Sequence, residues 1–245
     1  MKKAIRNEII KFIEPNIQSF HIKRLENLLN LELDDILKRK NPYLFKAKNI
    51  TTAQDLVKSL LDAHLSSQEE GIFGGFLENL AIFICSKFYS GKKSAAEGID
   101  IEFEKENTKY IIAVKSGPNW GNSQQISRMK DNFSKAKKIL GTNIKKAHVV
   151  AVNGCCYGRD EHPDKGDYLK LCGQRFWGFI SGDEQLYIDI IEPLGYEAKK
   201  KNEDFLAEYS KVINRFTLKF AKSYCDSGGS INWSKLVKFN SGKKS

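Results

Sequence analysis

The chain has 245 residues, 41% of them hydrophobic and 11% aromatic, enough for one sizeable domain or two small ones with a packed core. Lys and Arg number 40 against 30 Asp and Glu, and the resulting +10 points to a polyanion, most often nucleic acid. Five cysteines, an odd number, and no signal-type leader argue against a secreted disulfide scaffold. No apolar run reads as long enough to cross a membrane, so no membrane partner and a cytoplasmic setting are expected.

Helical periodicity covers residues 1–13 and 20–39, and in the second stretch Leu25, Leu28, Leu29, Leu33, Ile36 and Leu37 form one stripe. Asn41-Pro42 breaks it. Thr51-Thr52-Ala53-Gln54 opens another helix, read as far as Leu65. Gly71 and Gly74-Gly75 then punctuate the chain. Phe76 to Phe88 is apolar on nearly all sides and predicts a buried helix, with Glu78 the acid within it.

A strand pair follows at 99–104 and 109–115, then a polar and basic helix over 123–140. Ala147 to Val152 predicts a short buried strand, 153–168 a loop, and Leu171 to Ile180 a helix ending at Gly182. Leu186 to Leu194 is compatible with strand or helix. The last long helix spans 202–225, with Phe205, Tyr209, Val212, Phe216 and Phe220 on one side. This order gives an α/β chain with a small mixed sheet in its middle. It divides into a helical N-terminal region, 1–70, and a second domain, 71–245.

The chemistry concentrates in the strand pair. With a turn at Glu106-Asn107, Asp100 falls opposite Ala113, and Lys115 lies one step further along the same face. Hydrolysis of a phosphodiester by water calls for a metal that neutralises developing charge. A hard cation such as Mg²⁺ takes carboxylate and carbonyl oxygens, here Asp100 and the backbone carbonyl of Val114. Lys115 is placed to orient the water or offset charge on the phosphate. Glu102 shares the alternation of Asp100. Glu78 is the other available acid, on a helix where a buried carboxylate needs a partner.

These residues resemble a PD-(D/E)xK nuclease. Ile99-Asp100 matches the first half of that motif and Lys115 the end, whereas Ala113 stands where the second acid belongs. The resemblance extends to Asn41-Pro42-Tyr43-Leu44-Phe45, to Gly71-Ile72-Phe73-Gly74-Gly75-Phe76-Leu77-Glu78 and to Lys115-Ser116-Gly117-Pro118-Asn119-Trp120-Gly121-Asn122. With Ile231-Asn232-Trp233 near the end, the layout is similar to type II restriction endonucleases of the EcoO109I type. The resemblance implies a restriction-endonuclease-like central mixed sheet flanked by helices, with residues 1–70 serving DNA binding or dimerisation. It implies Mg²⁺-dependent hydrolysis of double-stranded DNA at a short specific site by a homodimer. It favours Glu78 over Glu102 as the carboxylate that replaces the one missing at Ala113. A repair or junction-resolving nuclease, or a DNA-binding protein with a decayed site, are the rival readings.

DNA contacts are expected from Ser116, Asn119, Trp120, Asn122, Ser123, Gln124, Gln125 and Arg128, with Ser123 capping the helix that follows. Base reading is expected from the loop at 154–166 and its neighbour, through Arg159, Lys165 and Arg175. Cys155, Cys156, His162 and Cys172 leave a zinc site open, although adjacent cysteines bite poorly on one tetrahedral ion.

Overall fold

The computed structural model describes residues 3–143 and 148–243. In chain order it comprises α1 (Lys3–Leu29), α2 (Leu33–Arg39), α3 (Pro42–Ala47), α4 (Ala53–Tyr89), β1 (Lys92–Lys93), β2 (Ile101–Lys105), β3 (Thr108–Lys115) and α5 (Ser123–Asn143). β4 (His148–Cys155), β5 (Leu169–Cys172), α6 (Gln174–Ser181), α7 (Leu186–Asp189), α8 (Ile191–Leu194), α9 (Ala198–Tyr224) and α10 (Trp233–Ser241) follow. The chain is therefore α/β, with a mixed sheet and a helical N-terminal region.

Several boundaries differ from the sequence expectation. The two N-terminal helices are one, α1, which runs through Pro15. Proline removes one helical hydrogen bond, but Ile9, Ile13 and Ile17 are buried on either side of it and hold the helix. The stripe breaks after Leu29 instead, before the short α2. The helix expected to stop at Leu65 continues to Tyr89. Gly71, Gly74 and Gly75 weaken a helix by only ~1 kcal/mol each, and the burial of Phe76, Leu77, Leu80, Ala81 and Ile84 outweighs that. Continuous in this way, α4 is long and apolar enough to cross a membrane by length and composition, with a mean hydropathy of 1.3 over an 18-residue window. Phe76, Leu77, Leu80, Ala81, Ile84 and Cys85 of this helix are buried in the protein core, and 33% of that apolar window is buried in all. Leu171 and Cys172 belong to β5, so the helix there begins at Gln174; Gly182 ends it in the left-handed conformation, as anticipated. The strand expected at Ala147–Val152 begins at His148 and reaches Cys155; Ala147 lies outside the described residues. Residues 186–194 form two single-turn helices.

The chain divides into two compact units. One comprises Met1–Ile17 and Phe73–Tyr196, the other Gln18–Ile72 and Glu197–Ser245. The chain's first residues lie in the unit with the sheet, and its last helices in the unit that holds Gln18–Ile72. The reason lies in the apolar faces. Phe205, Val212, Phe216 and Phe220 of α9 pack with Leu28, Leu33, Ile36, Leu56 and Leu61, while Ile9 and Ile13 pack with the sheet.

In the first unit the five strands lie in the order β1-β2-β3-β4-β5. β1, β2 and β3 are antiparallel neighbours; β3, β4 and β5 are parallel. The sheet is covered on both faces. Tyr110, Ile112 and Val114 of β3 face a cluster with α4, α1 and α6, whereas Ile111 and Ala113 face Met129, Phe133 and Ala136 of α5. That double burial explains why β3 reads as a nearly unbroken apolar run.

Candidate active site

The hairpin closes on Glu106 and Asn107, both at positive φ (50° and 59°), the conformation of a two-residue hairpin turn. The register runs from Lys105↔Thr108 to Ile101↔Ile112. One step beyond, the ladder changes. The Asp100 N–H donates to the Ile112 carbonyl (2.8 Å), and the Asp100 carboxylate accepts the Val114 N–H at 2.7 Å. Asp100 thus precedes β2 and ties its side chain to the β3 backbone. Ile99 joins Ile111 and Ala113, on the side opposite Ile101 and Phe103. The strict alternation expected for 99–104 therefore ends at Asp100, and Asp100 and Glu102 do not form one row.

Asp100 and Glu102 have different surroundings. Glu102 is ion-paired to Lys92 (3.4 Å) and Lys109 (3.3 Å), its side chain 13% exposed. Asp100 instead feels Glu78, Lys115 and Lys93. Burial raises its carboxyl above the ordinary 3.8, the Val114 N–H pulls it down, and the Glu78 charge pushes it up again. Glu78 projects from α4, half-buried, with Lys93 at 3.6 Å. Its charge also adds to burial in pushing the Cys156 thiol up to about 12. The Lys115 ammonium, at the end of β3, sits 5.1 Å from the ring centre of Trp120, a cation–π contact that restrains it. Gly74 lets α4 come close: a Cβ there would lie 2.8 Å from the Ser116 hydroxyl oxygen. Ala113, 1% exposed, is packed over by the α5 face.

This donor set fits a hard divalent cation. The Glu78 charge that raises the Asp100 carboxyl is offset by a positive ion beside the two carboxylates. Among the described residues no hydrogen bond engages the second Asp100 oxygen. In a strand the N–H and C=O of one residue point to the same side, so the Val114 carbonyl points towards Asp100. Mg²⁺ binds through one or two carboxylates and retains waters, which suits a site where no cluster of three or more His, Cys, Asp or Glu occurs among the described residues. The candidate zinc ligands are not gathered. Cys155 and Cys172 are strand partners, Cys156 joins the core on the other side, and His162 is in the exposed loop.

The other candidate residues follow β3 and β4. Lys115 and Ser116 carbonyls accept the Cys156 and Tyr157 N–H groups (2.9 and 3.0 Å), which extends the parallel pairing into the loops. Asn119 and Trp120 lie in the segment leading to α5. The cap of α5 is Asn122 rather than Ser123. Asn122 and Gln125 exchange hydrogen bonds of 3.0 Å between side chain and backbone, and Ser123 is the first helical residue. Gln125 is thereby engaged, and Gln124 stays exposed. Arg128 pairs with Glu97 (3.0 Å) at the surface.

In the next loop Arg159 is exposed, and no hydrogen bond or ion pair engages it among the described residues. Lys165 and Arg175 are held by Asp160. Its carboxylate takes the Lys165 ammonium (2.9 Å) and the Lys170 ammonium (3.4 Å), and its carbonyl accepts from Arg175 (3.0 Å). Lys170 also donates to the Pro118 carbonyl at 3.0 Å. These bonds lower the Asp160 carboxyl against the opposing effect of burial. Asp160 and Lys170 thus tie the loop to the segment leaving β3. Sequence reasoning noted Asp160 only as part of the loop and passed over Lys170, because residues ten apart signal no contact until β5 brings them together.

The chain matches the family model of the type II restriction endonuclease EcoO109I over residues 7–202, a span that includes the hairpin, Glu78 and the Asp160 loop. No individual curated protein matches it. The match covers most of the chain and both parts of the site, and the chain belongs to the EcoO109I family of type II restriction endonucleases.

Proposed function

We propose that this nuclease hydrolyses phosphodiester bonds of double-stranded DNA at a short specific site, in a Mg²⁺-dependent reaction. The observation that carries the reading is that Asp100, tied to the Val114 N–H of β3 at 2.7 Å, lies within electrostatic reach of both Glu78 and Lys115. Asp100 and Glu78 would hold the cation, with the Val114 carbonyl as a third oxygen. When bound, the cation supplies Lewis-acid neutralisation of the phosphate charge and lowers the pKa of water.

The protein's own groups do the rest. The Val114 N–H fixes the Asp100 carboxylate in one orientation. Lys115, restrained by Trp120, directs its ammonium at the non-bridging phosphate oxygens or the attacking water. Ser116, Asn119, Asn122, Ser123 and Gln124 lie on the segment that would follow the DNA backbone, and Arg159, unengaged among the described residues, lies in the loop that would meet the DNA. A short site with two-fold symmetry, cut in both strands, calls for a homodimer with one active site per strand.

The test is digestion of plasmid DNA with and without Mg²⁺, with the ends of the products mapped. Discrete fragments sharing one sequence at their ends support the reading. Cutting confined to branched DNA identifies a structure-selective nuclease instead, and intact plasmid at low salt with Mg²⁺ identifies a binding protein whose site decayed at Ala113.

A further inference from the structure

A cavity of about 610 Å³, whose lining includes the chain neighbour of Glu78, takes no part in the reaction just described. It lies where β4 and β5 end, lined there by Cys156 and Cys172. Ligands of α/β sheets bind at this carboxyl end of parallel strands. Its volume lies within the ~300–1,000 Å³ of pockets that bury most of a small ligand. Leu77, the residue before Glu78, forms part of its wall. Cys156, whose thiol feels the Glu78 charge, forms another part. Leu77 and Cys156 thus link the wall of the cavity to Glu78.

Its lining is of two kinds. One part is apolar, with Leu77 and Ile190 buried and the Tyr187 ring half-buried. The other carries Arg159 and Arg175 beside Asp160 and Glu161, and with the Lys165 and Lys170 ammonium groups held on the Asp160 carboxylate the cations there outnumber the acids. Arg175 is held by the Asp160 carbonyl, and Arg159 is unengaged among the described residues. An occupant must therefore offer an anion to guanidinium groups and a flat apolar body to an aromatic and aliphatic wall. A paired duplex offers phosphates but keeps its base faces in the stack. A nucleotide turned out of the stack offers both.

We infer that this cavity receives one nucleotide of the bound DNA, turned out of the duplex, with its base against Tyr187 and its phosphate at Arg159 and Arg175. The inference rests on the DNA-cleaving reading above. It makes the cavity a second point of selection: a base that unpairs easily and fits the wall is accepted, and one that does not is rejected.

The experiment uses the full chain with duplexes carrying the mapped site, Ca²⁺ in place of Mg²⁺, and 2-aminopurine at each position in turn. One position brightens severalfold on binding. An abasic residue at that position binds at least about tenfold more tightly, because no stacking is lost. Ile191 lines the cavity and is 66% exposed, so Ile191→Trp fills the space without disturbing the core. That variant still retards the duplex on a gel but loses the brightening. Binding and cleavage without brightening at any position overturn the cavity assignment and leave the nuclease reading intact. Brightening that persists in Ile191→Trp also overturns it. No binding and no cleavage overturn both. Free deoxynucleoside monophosphate has the same chemistry; dAMP that quenches Trp177 fluorescence to saturation, with no duplex position brightening, assigns the cavity to the free nucleotide and refutes the strand proposal.

Discussion

Exchanging Glu78 and Glu102 for glutamine, one at a time, separates the two acids that sequence alone left in competition. Glu78 has Lys93 at 3.6 Å, with side chains 33% and 67% exposed. An ion pair that open contributes ~0–1 kcal/mol, and Glu78→Gln also relieves the repulsion on Asp100. Its melting temperature should therefore shift by no more than about 4 °C. If Glu78 holds the cation, removing its charge costs about 10²–10³-fold in single-turnover cleavage, the effect of deleting one preorganised electrostatic group, ~2.7–4 kcal/mol. Glu102→Gln should behave in reverse. Lys109, 14% exposed, loses the charge that compensates it, a loss of ~1–3 kcal/mol of stability, while cleavage stays within about threefold. The assays are plasmid cleavage against Mg²⁺ concentration and thermal melting of the metal-free protein. Cleavage that survives Glu78→Gln and collapses in a folded Glu102→Gln protein refutes the assignment.

Three further outcomes follow from the same geometry. Lys115→Ala should reduce cleavage about 10²-fold or more and change DNA retention only severalfold; equal activity would remove Lys115 from the mechanism. Asp100→Asn should abolish cleavage yet raise the melting temperature of the metal-free protein near neutral pH. Because burial and Glu78 raise the folded-state pKa, the ionised form costs stability above that pKa, and the cost disappears below the unfolded value near 3.8. The gain should thus shrink to nothing as pH falls towards 4, and a gain that grows on acidification would reverse the sign. Asp160→Asn should lower the cleavage ratio between the cognate site and a site with one mismatch by about tenfold, ~1.4 kcal/mol, with Asp160→Glu restoring part of it. An unchanged ratio would deny the loop its positioning role.

The hairpin was legible because its signals are local. Strand alternation and a two-residue turn at Glu106-Asn107 sufficed to give the pairing of β2 with β3 from Lys105↔Thr108 to Ile101↔Ile112. Glu78 was legible as an isolated acid in an apolar helix. What stayed hidden depends on contacts between distant residues. Three glycines read as a break in α4, since their cost is local and the burial that offsets it belongs to the sheet. Strict alternation placed Asp100 in the row of Glu102, although a side-chain bond to the Val114 N–H interrupts the ladder there. Asn122 displaced Ser123 as the cap because Gln125, three residues on, completes the reciprocal pair. The Asp160 and Lys170 tie needs β5, a four-residue strand whose last two residues, Leu171 and Cys172, read as the start of a helix.

The interleaving of the two units bears on how the chain is made. The unit with the carboxylates is complete once Tyr196 has been synthesised, but the segment Gln18–Ile72 packs with residues that begin only at Glu197. Between Ile72 and Glu197 the ribosome advances 197 − 72 = 125 positions, about 6–25 s at ~5–20 residues per second. During that interval the Leu28, Leu33, Ile36, Leu56 and Leu61 face waits for Phe205, Val212, Phe216 and Phe220. The segment carrying Glu78, Asp100 and Lys115 is thus synthesised in full before the partner residues of the helical unit, which begin at Glu197.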